Sequence, residues 1–338
     1  MEKDREQGTE SSKDSHLLII DGLNTFIRVF SAVPALNDDG QHIGGVTGFL
    51  RSVAANIRQL KPTRCVIVFD GKGGSKRRKA IYPNYKANRA NKTAFNRYQE
   101  FASLEDESMS MKKQFGRLAQ YLNCLPITTL SVDNVEADDI MAYIANELYT
   151  EKENRATIVS TDRDFLQLVN DRISVWSPIK KKLYTPSLMK EEFGFSPENY
   201  LLYRTFIGDK SDNIPGIKGV GPKSLIKHFP IICEDREISV DEIVEYADNV
   251  DKKYKVHETV LQNKETLQLN YDLMQLKEVD IHGGAKMLTL DKVKGKVDRT
   301  NTYEFKKMFM ADKMYTVIKD LDSWLHTSFN ALNAYTSL

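Results

Sequence analysis

Short apolar runs alternate with helical patterns through the first half of the chain, and this alternation constrains the fold more than any other feature. Five runs have the length of buried strands, and they lie at residues 17–20, 65–69, 126–130, 157–160 and 173–176. Segments with helical patterns separate them, including residues 45–60 and 111–122. Strands that alternate with helices are typical of a parallel sheet with crossover helices. We therefore expect an α/β fold with a mostly parallel central sheet and flanking helices.

The pattern changes after about Ser177, and from Ser196 onward the sequence indicates helices and turns. These changes predict an α/β core at residues 16–195 and a helical region at 196–338. The first 15 residues are polar and charged and lack an apolar segment, which favours a flexible tail over a signal peptide. The region after Ile231 has amphipathic helix patterns and no motif that we can interpret.

The composition excludes two classes of protein. No apolar run approaches the roughly 20 residues that a membrane-spanning helix needs. The three cysteines, Cys65, Cys124 and Cys233, are too few and too far apart for a zinc site or a disulfide framework. We expect a cytoplasmic protein in which the cysteines are packing residues.

Charge is unevenly distributed along the chain, although the net charge is only +1. The segment from Lys72 to Arg97 contains no Asp or Glu. Its other basic residues are Lys76, Arg77, Arg78, Lys79, Lys86, Arg89 and Lys92. Such a run is either a solvated loop or a surface for an anionic partner, and the sequence of the run alone does not decide between them.

Aspartates follow three of the predicted strands directly. Asp21 follows the first strand, Asp70 the second, and Asp162 and Asp164 follow the fourth. A single aspartate after a strand is commonly a turn residue. Because the carboxyl ends of parallel strands form the ligand crevice of an open α/β sheet, three such strands together indicate a shared acidic site.

Two further acidic groups lie at predicted helix ends. Glu136, Asp138 and Asp139 begin a helix, where carboxylates also stabilise the helix dipole. Asp209 and Asp212 follow the helical stretch at residues 200–207, where they could simply form a turn.

Nine carboxylates in one crevice would repel one another unless cations neutralised them. Oxygen ligands without His or Cys favour Mg²⁺ or Mn²⁺ over zinc. Two such ions roughly 4 Å apart suit the hydrolysis of phosphodiester bonds.

Two basic segments could contact nucleic acid. Tyr82, Tyr85, Lys86 and Arg89 mix aromatic rings with cations, a combination that binds bases and phosphates, although the tyrosines could instead be packing residues. A glycine-rich turn precedes Pro222, the expected first residue of a helix. The candidate phosphate contacts in this second segment are Gly216, Lys218, Gly219, Gly221 and Lys223.

Together these segments resemble the 5′ nuclease (flap endonuclease) superfamily, especially bacteriophage ribonuclease H and 5′→3′ exonucleases, and they are similar to the 5′ nuclease domain of bacterial DNA polymerase I. The matching segments, in order over residues 17–229, are IIDGLN, VFDG, YPNYKANR, VEADD, STDRDF and GDKSDNIPGIKGVGPK. The resemblance implies a PIN-like nuclease core, a helical arch at 76–120 that passes a 5′ single strand, and a helix-hairpin-helix at 200–229 that grips duplex DNA.

The resemblance also implies residue roles. All nine acids match metal-site positions, with Asp70, Glu136, Asp138 and Asp162 expected as direct ligands of one ion. Asp164, Asp209 and Asp212 would then shape the second site. Lys86 matches a lysine near the scissile phosphate, Tyr85 an aromatic that stacks on the substrate, and Arg89 a phosphate ligand. Arg77 and Arg78 compete for one further arginine position, and spacing slightly favours Arg78.

We therefore expect a free-standing two-metal 5′→3′ exonuclease and flap endonuclease of the ribonuclease H type, which removes RNA primers or 5′ flaps during DNA replication. Its cofactors would be two Mg²⁺ (or Mn²⁺) ions, with K⁺ at the hairpin. Its partners would be DNA or RNA–DNA duplexes with a 5′ single-stranded end or flap, and replication proteins such as a single-strand-binding protein or a clamp. The chain is expected to act as a monomer, in the host cytoplasm if a phage encodes it. A non-catalytic branched-DNA binding module and a PIN-like ribonuclease are the alternatives.

Overall fold

A computed structural model describes residues 15–90, 96–97, 101–150 and 154–336 of the chain. The tail expected at residues 1–15 lies almost wholly outside these ranges. So does the middle of the expected arch, at residues 91–95 and 98–100.

A six-stranded sheet forms the centre of the protein, with strand order β3-β2-β1-β4-β5-β6. The strands are β1 (His16–Asp21), β2 (Arg64–Asp70), β3 (Thr128–Val132), β4 (Arg155–Val159), β5 (Ile173–Ser177) and β6 (Lys182–Tyr184). Strands β1 to β5 are parallel, and β6 pairs with β5 in the antiparallel sense. The five predicted strands are confirmed with small shifts at their ends. Strand β6 was not predicted, because its three residues at the sheet edge include two exposed ones and form no apolar run.

Fourteen α-helices surround the sheet within the described residues. They are α1 (Gly22–Ala32), α2 (Gly44–Leu60), α3 (Lys76–Ile81), α4 (Leu104–Leu122), α5 (Ala137–Tyr143), α6 (Pro186–Phe193), α7 (Tyr200–Ile207), α8 (Pro222–His228), α9 (Val240–Asn249), α10 (Lys255–Gln262), α11 (Lys264–Met274), α12 (Gly283–Lys294), α13 (Thr302–Ala311) and α14 (Leu321–Asn333). The fold class expected from the sequence is therefore confirmed.

Helix α4 begins seven residues before the predicted start at Met111. The side chain of Ser103 caps the helix by accepting a hydrogen bond from the backbone N–H of Asp106 at 3.1 Å. Three acids, Glu105, Asp106 and Glu107, occupy the first turn, where the helix dipole favours negative charge. The acidic residues within the expected arch thus serve partly to begin this helix.

Apolar side chains cover both faces of the sheet. Leu17 and Ile19 of β1 belong to one core cluster with Ile140 of α5 and Phe206 of α7. Their neighbours on the strand, Leu18 and Ile20, belong to the cluster on the opposite face, which includes Phe49, Leu118 and Phe329. Phe329 lies on α14, so the end of the chain returns to pack on the face covered by α2 and α4.

Parallel pairing places the carboxyl ends of β1, β2 and β4 at one edge of the sheet. Asp21 ends β1 and lies opposite Val68, two residues before the end of β2 at Asp70. Strand β4, on the other side of β1, ends at Val159 and leads into Asp162. No helix in the described part of the chain is both long enough and apolar enough to cross a membrane.

Candidate active site

The acids at the strand ends lie at the centre of the site. Asp21 caps α1 by accepting a hydrogen bond from the N–H of Asn24 at 3.0 Å, and it accepts another from the hydroxyl of Ser160 at 3.0 Å. Asp70 accepts a hydrogen bond at 2.9 Å from the N–H of Ala137, the first residue of α5. This contact connects the end of β2 to the helix that carries Asp138 and Asp139.

Burial, together with repulsion between neighbouring carboxylates, raises the pKa values of several acids at this edge. Burial, with the charges of Asp162 and Asp70, raises the pKa of Asp21 to about 7 against the two hydrogen bonds that it accepts. Burial and the charges of Asp162 and Asp21 also raise the pKa of Asp138. Burial is the main cause of the raised pKa of Asp162, to which Asp212 and Asp209 contribute. The chain therefore gathers carboxylates whose charges it does not fully compensate.

Arg78 compensates a second group of acids. Its buried guanidinium donates to Glu136 and makes two hydrogen bonds to Asp139, at 2.9 and 2.7 Å. A further bond of 2.8 Å joins its Nε to the backbone oxygen of Leu273 in α11. Arg77 lies 3.5 Å from Asp139 and is more exposed. Of the two candidate arginines, the structure therefore places Arg78 within the acidic site, as a buried counterion.

Lys86 and Tyr85, on the turn that follows α3, contact Glu136 and Asp212. The ammonium of Lys86 lies 2.5 Å from Glu136 and 3.8 Å from Asp212. Burial alone would raise the pKa of Glu136, but Arg78 and Lys86 outweigh it, so that the pKa is lowered. The hydroxyl of Tyr85 donates to Asp212 at 3.1 Å, and only 2% of the residue is exposed.

This burial of Tyr85 corrects one expectation. The ring packs with Leu201 and Ile214 and offers no free face to a base in this conformation. Tyr85 is therefore better described as a packing residue, the alternative that the sequence also allowed. Tyr82 is half-buried beside the same cluster, and the side chain of Arg89 lies outside what the structure describes.

Arg204 is a residue of the site that the sequence analysis missed. Its side chain bridges two acids, with Nε 2.7 Å from Asp164 and Nη2 2.6 Å from Asp209. Burial and the charge of Asp162 nevertheless raise the pKa of Asp164 to about 7, whereas the pKa of Asp209 is lowered because Ser211 and Arg204 outweigh its burial. A lone arginine inside the apolar helix YLLYRTFI was the available signal, since a buried arginine requires a counterion.

The donors of the site fit divalent cations of the magnesium type. All nine expected acids lie at this edge or in the helices and loop beside it, and they offer only oxygen ligands. Within the described residues, however, no three of them are already arranged around a common metal position. Arg78, Lys86 and Arg204 hold five of the nine acids. Asp21, Asp70, Asp138 and Asp162 are the acids with no cation within ion-pair distance in the described part of the chain.

The predicted hairpin joins α7 and α8 through residues 208–221. Pro222 is the first residue of α8, as the sequence predicted. Gly219 has a φ of +83°, which favours glycine, and a side chain on Gly216 would collide with the backbone oxygen of Ile207. Lys218 and Lys223 are exposed on this segment, where an anion can reach them.

Two family models cover most of the chain. The 5′-3′ exonuclease N-terminal resolvase-like domain matches residues 16–194, and the 5′-3′ exonuclease C-terminal SAM fold matches residues 195–296. Together they cover the sheet, the acidic site and the hairpin.

Curated relatives carry related names. A 5′-3′ exonuclease from Aquifex aeolicus is 29% identical over 90% of this chain and 95% of its own length. DNA polymerase I from Thermus thermophilus is 32% identical over 79% of this chain, which spans only 30% of that enzyme.

Solved structures share the fold. Bacteriophage T5 5′-exonuclease with bound zinc superimposes with a TM-score of 0.60 at 22% identity, covering 88% of this chain and 98% of that one. The T5 D15 flap endonuclease in a complex with DNA and metal ions gives a TM-score of 0.59 at 20% identity, covering 90% of this chain and 100% of that one. With its resolvase-like core, its acidic strand ends and its C-terminal helical domain, the chain belongs to the 5′-3′ exonuclease family of nucleases.

Proposed function

We propose that the protein is a structure-specific 5′ nuclease, a 5′→3′ exonuclease and flap endonuclease that hydrolyses phosphodiester bonds near 5′ ends. It would remove RNA primers or 5′ flaps during DNA replication. The observation that carries this proposal is the group of four acids without a cationic partner in the described residues, in a site where three buried or half-buried cations hold the other acids.

The acids of the site have two different proposed roles, metal binding and the binding of Arg78. Asp21, Asp70, Asp138 and Asp162 would hold divalent cations, with Asp164, Asp209 and Asp212 completing a second site. Bound Mg²⁺ ions, or Mn²⁺ in their place, supply a nucleophilic water and neutralise charge on the phosphate. Glu136, which the sequence analysis expected as a direct ligand, is held by Arg78 and Lys86, and Asp139 is held by Arg78. We therefore propose that both acids serve mainly as partners of these cations and that Arg78 acts through them as a positioning residue.

Lys86 is the proposed contact to the scissile phosphate. Its ammonium lies among carboxylates on the acidic site, and its pKa is raised because Glu136, Asp212 and Asp138 outweigh its burial. A raised pKa keeps the side chain charged at neutral pH, as phosphate binding requires. A phosphate could replace Glu136 as its partner when substrate binds.

The hairpin would bind the duplex beside the cleaved end. Exposed Lys218 and Lys223 flank its glycine turn, and backbone carbonyls of the turn would hold K⁺. Arg77, Tyr82 and Arg89 are proposed as contacts to the strand that enters the arch. We also propose a cytoplasmic monomer that works beside replication proteins such as a single-strand-binding protein or a clamp.

A panel of labelled substrates tests the function. Duplexes with a 5′ flap, a nick or a 5′ RNA primer are incubated with the protein, with Mg²⁺ or with EDTA. Cleavage near the 5′ end that requires Mg²⁺ is expected, and the relative rates assign the preferred substrate. Failure to cleave any of the three would overturn the proposal.

A further inference from the structure

Hydrogen bonds join the turn that carries Lys86 to the loop that carries Asp209 and Asp212. We call residues 82–88 the lysine turn and residues 209–214 the acidic loop. The N–H of Lys86 donates to the backbone oxygen of Asp212 at 2.9 Å. The side-chain amide of Asn213 donates to the backbone oxygen of Asn84 at 2.8 Å, and that of Asn88 donates to the backbone oxygen of Lys210 at 2.8 Å.

Both segments contain a residue in the left-handed region. Lys86 has a φ of 56° and Asn213 a φ of 60°. Asparagine tolerates this region, whereas a lysine there costs about 1 kcal/mol or more. Such a conformation persists only where neighbours hold it, and it is often found where a side chain must be aimed. At Lys86 those neighbours are the residues of the acidic loop.

Hydrogen bonds within the acidic loop and from α11 also hold this loop in place. Asp209 and Ile214 exchange two backbone hydrogen bonds, of 2.9 and 2.7 Å. The buried amide of Asn270 in α11 donates to the backbone oxygens of Thr205 and Pro215, each at 2.8 Å, on either side of the loop. Hydrogen bonds therefore join α11, the hairpin segment that contains the acidic loop, and the lysine turn.

We propose that Asn213 is a positioning residue, which holds the lysine turn against the acidic loop and so aims the ammonium of Lys86 at the scissile phosphate. The inference rests on the proposed function of Lys86. Asn213 touches no substrate in this account. It acts through the carbonyl of Asn84, two residues before the lysine.

Asn213→Gly is the direct test, because glycine adopts the positive φ readily and the change removes the side chain whose amide is the donor. Loss of the hydrogen bond lets the lysine turn shift, and a misplacement of about 1 Å in a catalytic group can lower the rate on the order of 100-fold. We expect kcat on a 5′-flap duplex to fall between about tenfold and 100-fold. KM and the dissociation constant of the duplex should stay within about twofold, since the proposed contacts of the hairpin to the duplex remain.

A double-variant cycle shows whether the effect passes through Lys86. Lys86→Ala should lower kcat at least as much as Asn213→Gly, and the combination should be no slower than Lys86→Ala alone. Lys61→Gly is the matched control, because Lys61 also has a positive φ, of 48°. It lies at the end of α2, just before the first residue of β2, and therefore far from the carboxyl ends of the strands. This control variant should cleave at the wild-type rate, and thermal unfolding checks that every variant is folded.

Two results would overturn the inference. One is a folded Asn213→Gly variant with wild-type kcat, and the other is a double variant whose loss is the product of the two single losses. Both leave wild-type cleavage intact and so differ from a failure of the proposed function, in which the wild-type protein would not cleave at all.

Discussion

Arg204 lies between Asp164 and Asp209 and neutralises part of the acidic site without a metal ion. We predict that Arg204→Met lowers the free energy of unfolding by about 3–5 kcal/mol in EDTA, because the change leaves two carboxylates, each with only 16% of its side chain exposed, without their partner. Added Mg²⁺ should restore part of the loss, since a divalent cation can replace the guanidinium charge. Chemical denaturation with and without Mg²⁺ measures both effects.

The matched control for Arg204 is Lys253→Met, which removes an exposed ion pair with Asp248. A change of at most about 1 kcal/mol is expected there, with no response to Mg²⁺. Equal losses for the two variants would contradict the account of Arg204.

The raised pKa values of Asp21 and Asp164, each about 7, predict how stability depends on pH without metal. An acid whose pKa is higher in the folded state than in the unfolded state retains its proton longer when folded, so stability falls as pH rises toward the folded pKa. His16 and His42 have lowered pKa values, so they make stability rise with pH, but only below about pH 6.5.

Between pH 6.5 and 8 in EDTA we therefore expect stability to decrease by on the order of 1 kcal/mol. Saturating Mg²⁺ should remove or reverse this slope, because a bound cation favours the ionised acids. Thermal unfolding across this pH range provides the measurement. A slope that is the same with and without Mg²⁺ would refute the link between these acids and metal.

At the scale of elements, the hairpin between α7 and α8 should contribute duplex affinity without sequence preference. Lys223→Ala is expected to weaken binding to all duplexes alike. It should also reduce the slope of log binding constant against log salt concentration by about one, which corresponds to one phosphate contact. Lys319→Ala, a change at an exposed lysine before α14, should alter neither quantity. Fluorescence anisotropy over a range of salt concentrations compares them, and a sequence-dependent loss would argue against a phosphate contact.

The elements that the sequence predicted well are those with a local signal. Strands β1, β2 and β4 have 5–7 residues and are each built on an apolar run, and the acids at their ends converge because parallel strands end at one edge. Strand β6 depends on its pairing with β5 at the sheet edge, and the early start of α4 depends on the cap by Ser103. The pattern of apolar residues predicts neither of them. The bridge made by Arg204 joins residues 40 positions apart, and a single sequence does not reveal such a contact.

Tyr85 illustrates the same limit within the site. Its place in the motif YPNYKANR indicated an aromatic contact to the substrate, but the motif does not specify burial. The ring is buried because Leu201, Ile214 and Leu273, all remote in sequence, pack around it. Residue type was therefore predictable, whereas the environment of the ring was not.

At the scale of the whole molecule, the core and the site depend on the same sheet. Each residue from Leu17 to Ile20 in β1 is fully buried, alternating between the two core clusters, and the strand ends on Asp21. Helices from both halves of the chain complete these clusters, including α14 on one face and α7 on the other. The acids are thus held by the most buried part of the protein, which can resist the repulsion among them.

Single-turnover cleavage of a 5′-flap duplex by the wild-type protein and by Asp162→Asn, over a range of Mg²⁺ concentrations, tests the central claim most directly. The amide keeps the shape of the side chain and removes its charge. We predict that wild-type cleavage rises with Mg²⁺ and is absent in EDTA, and that Asp162→Asn binds the duplex but does not cleave it at any Mg²⁺ concentration. Wild-type cleavage in EDTA, or full cleavage by the variant, would contradict a metal-dependent nuclease built on these acids.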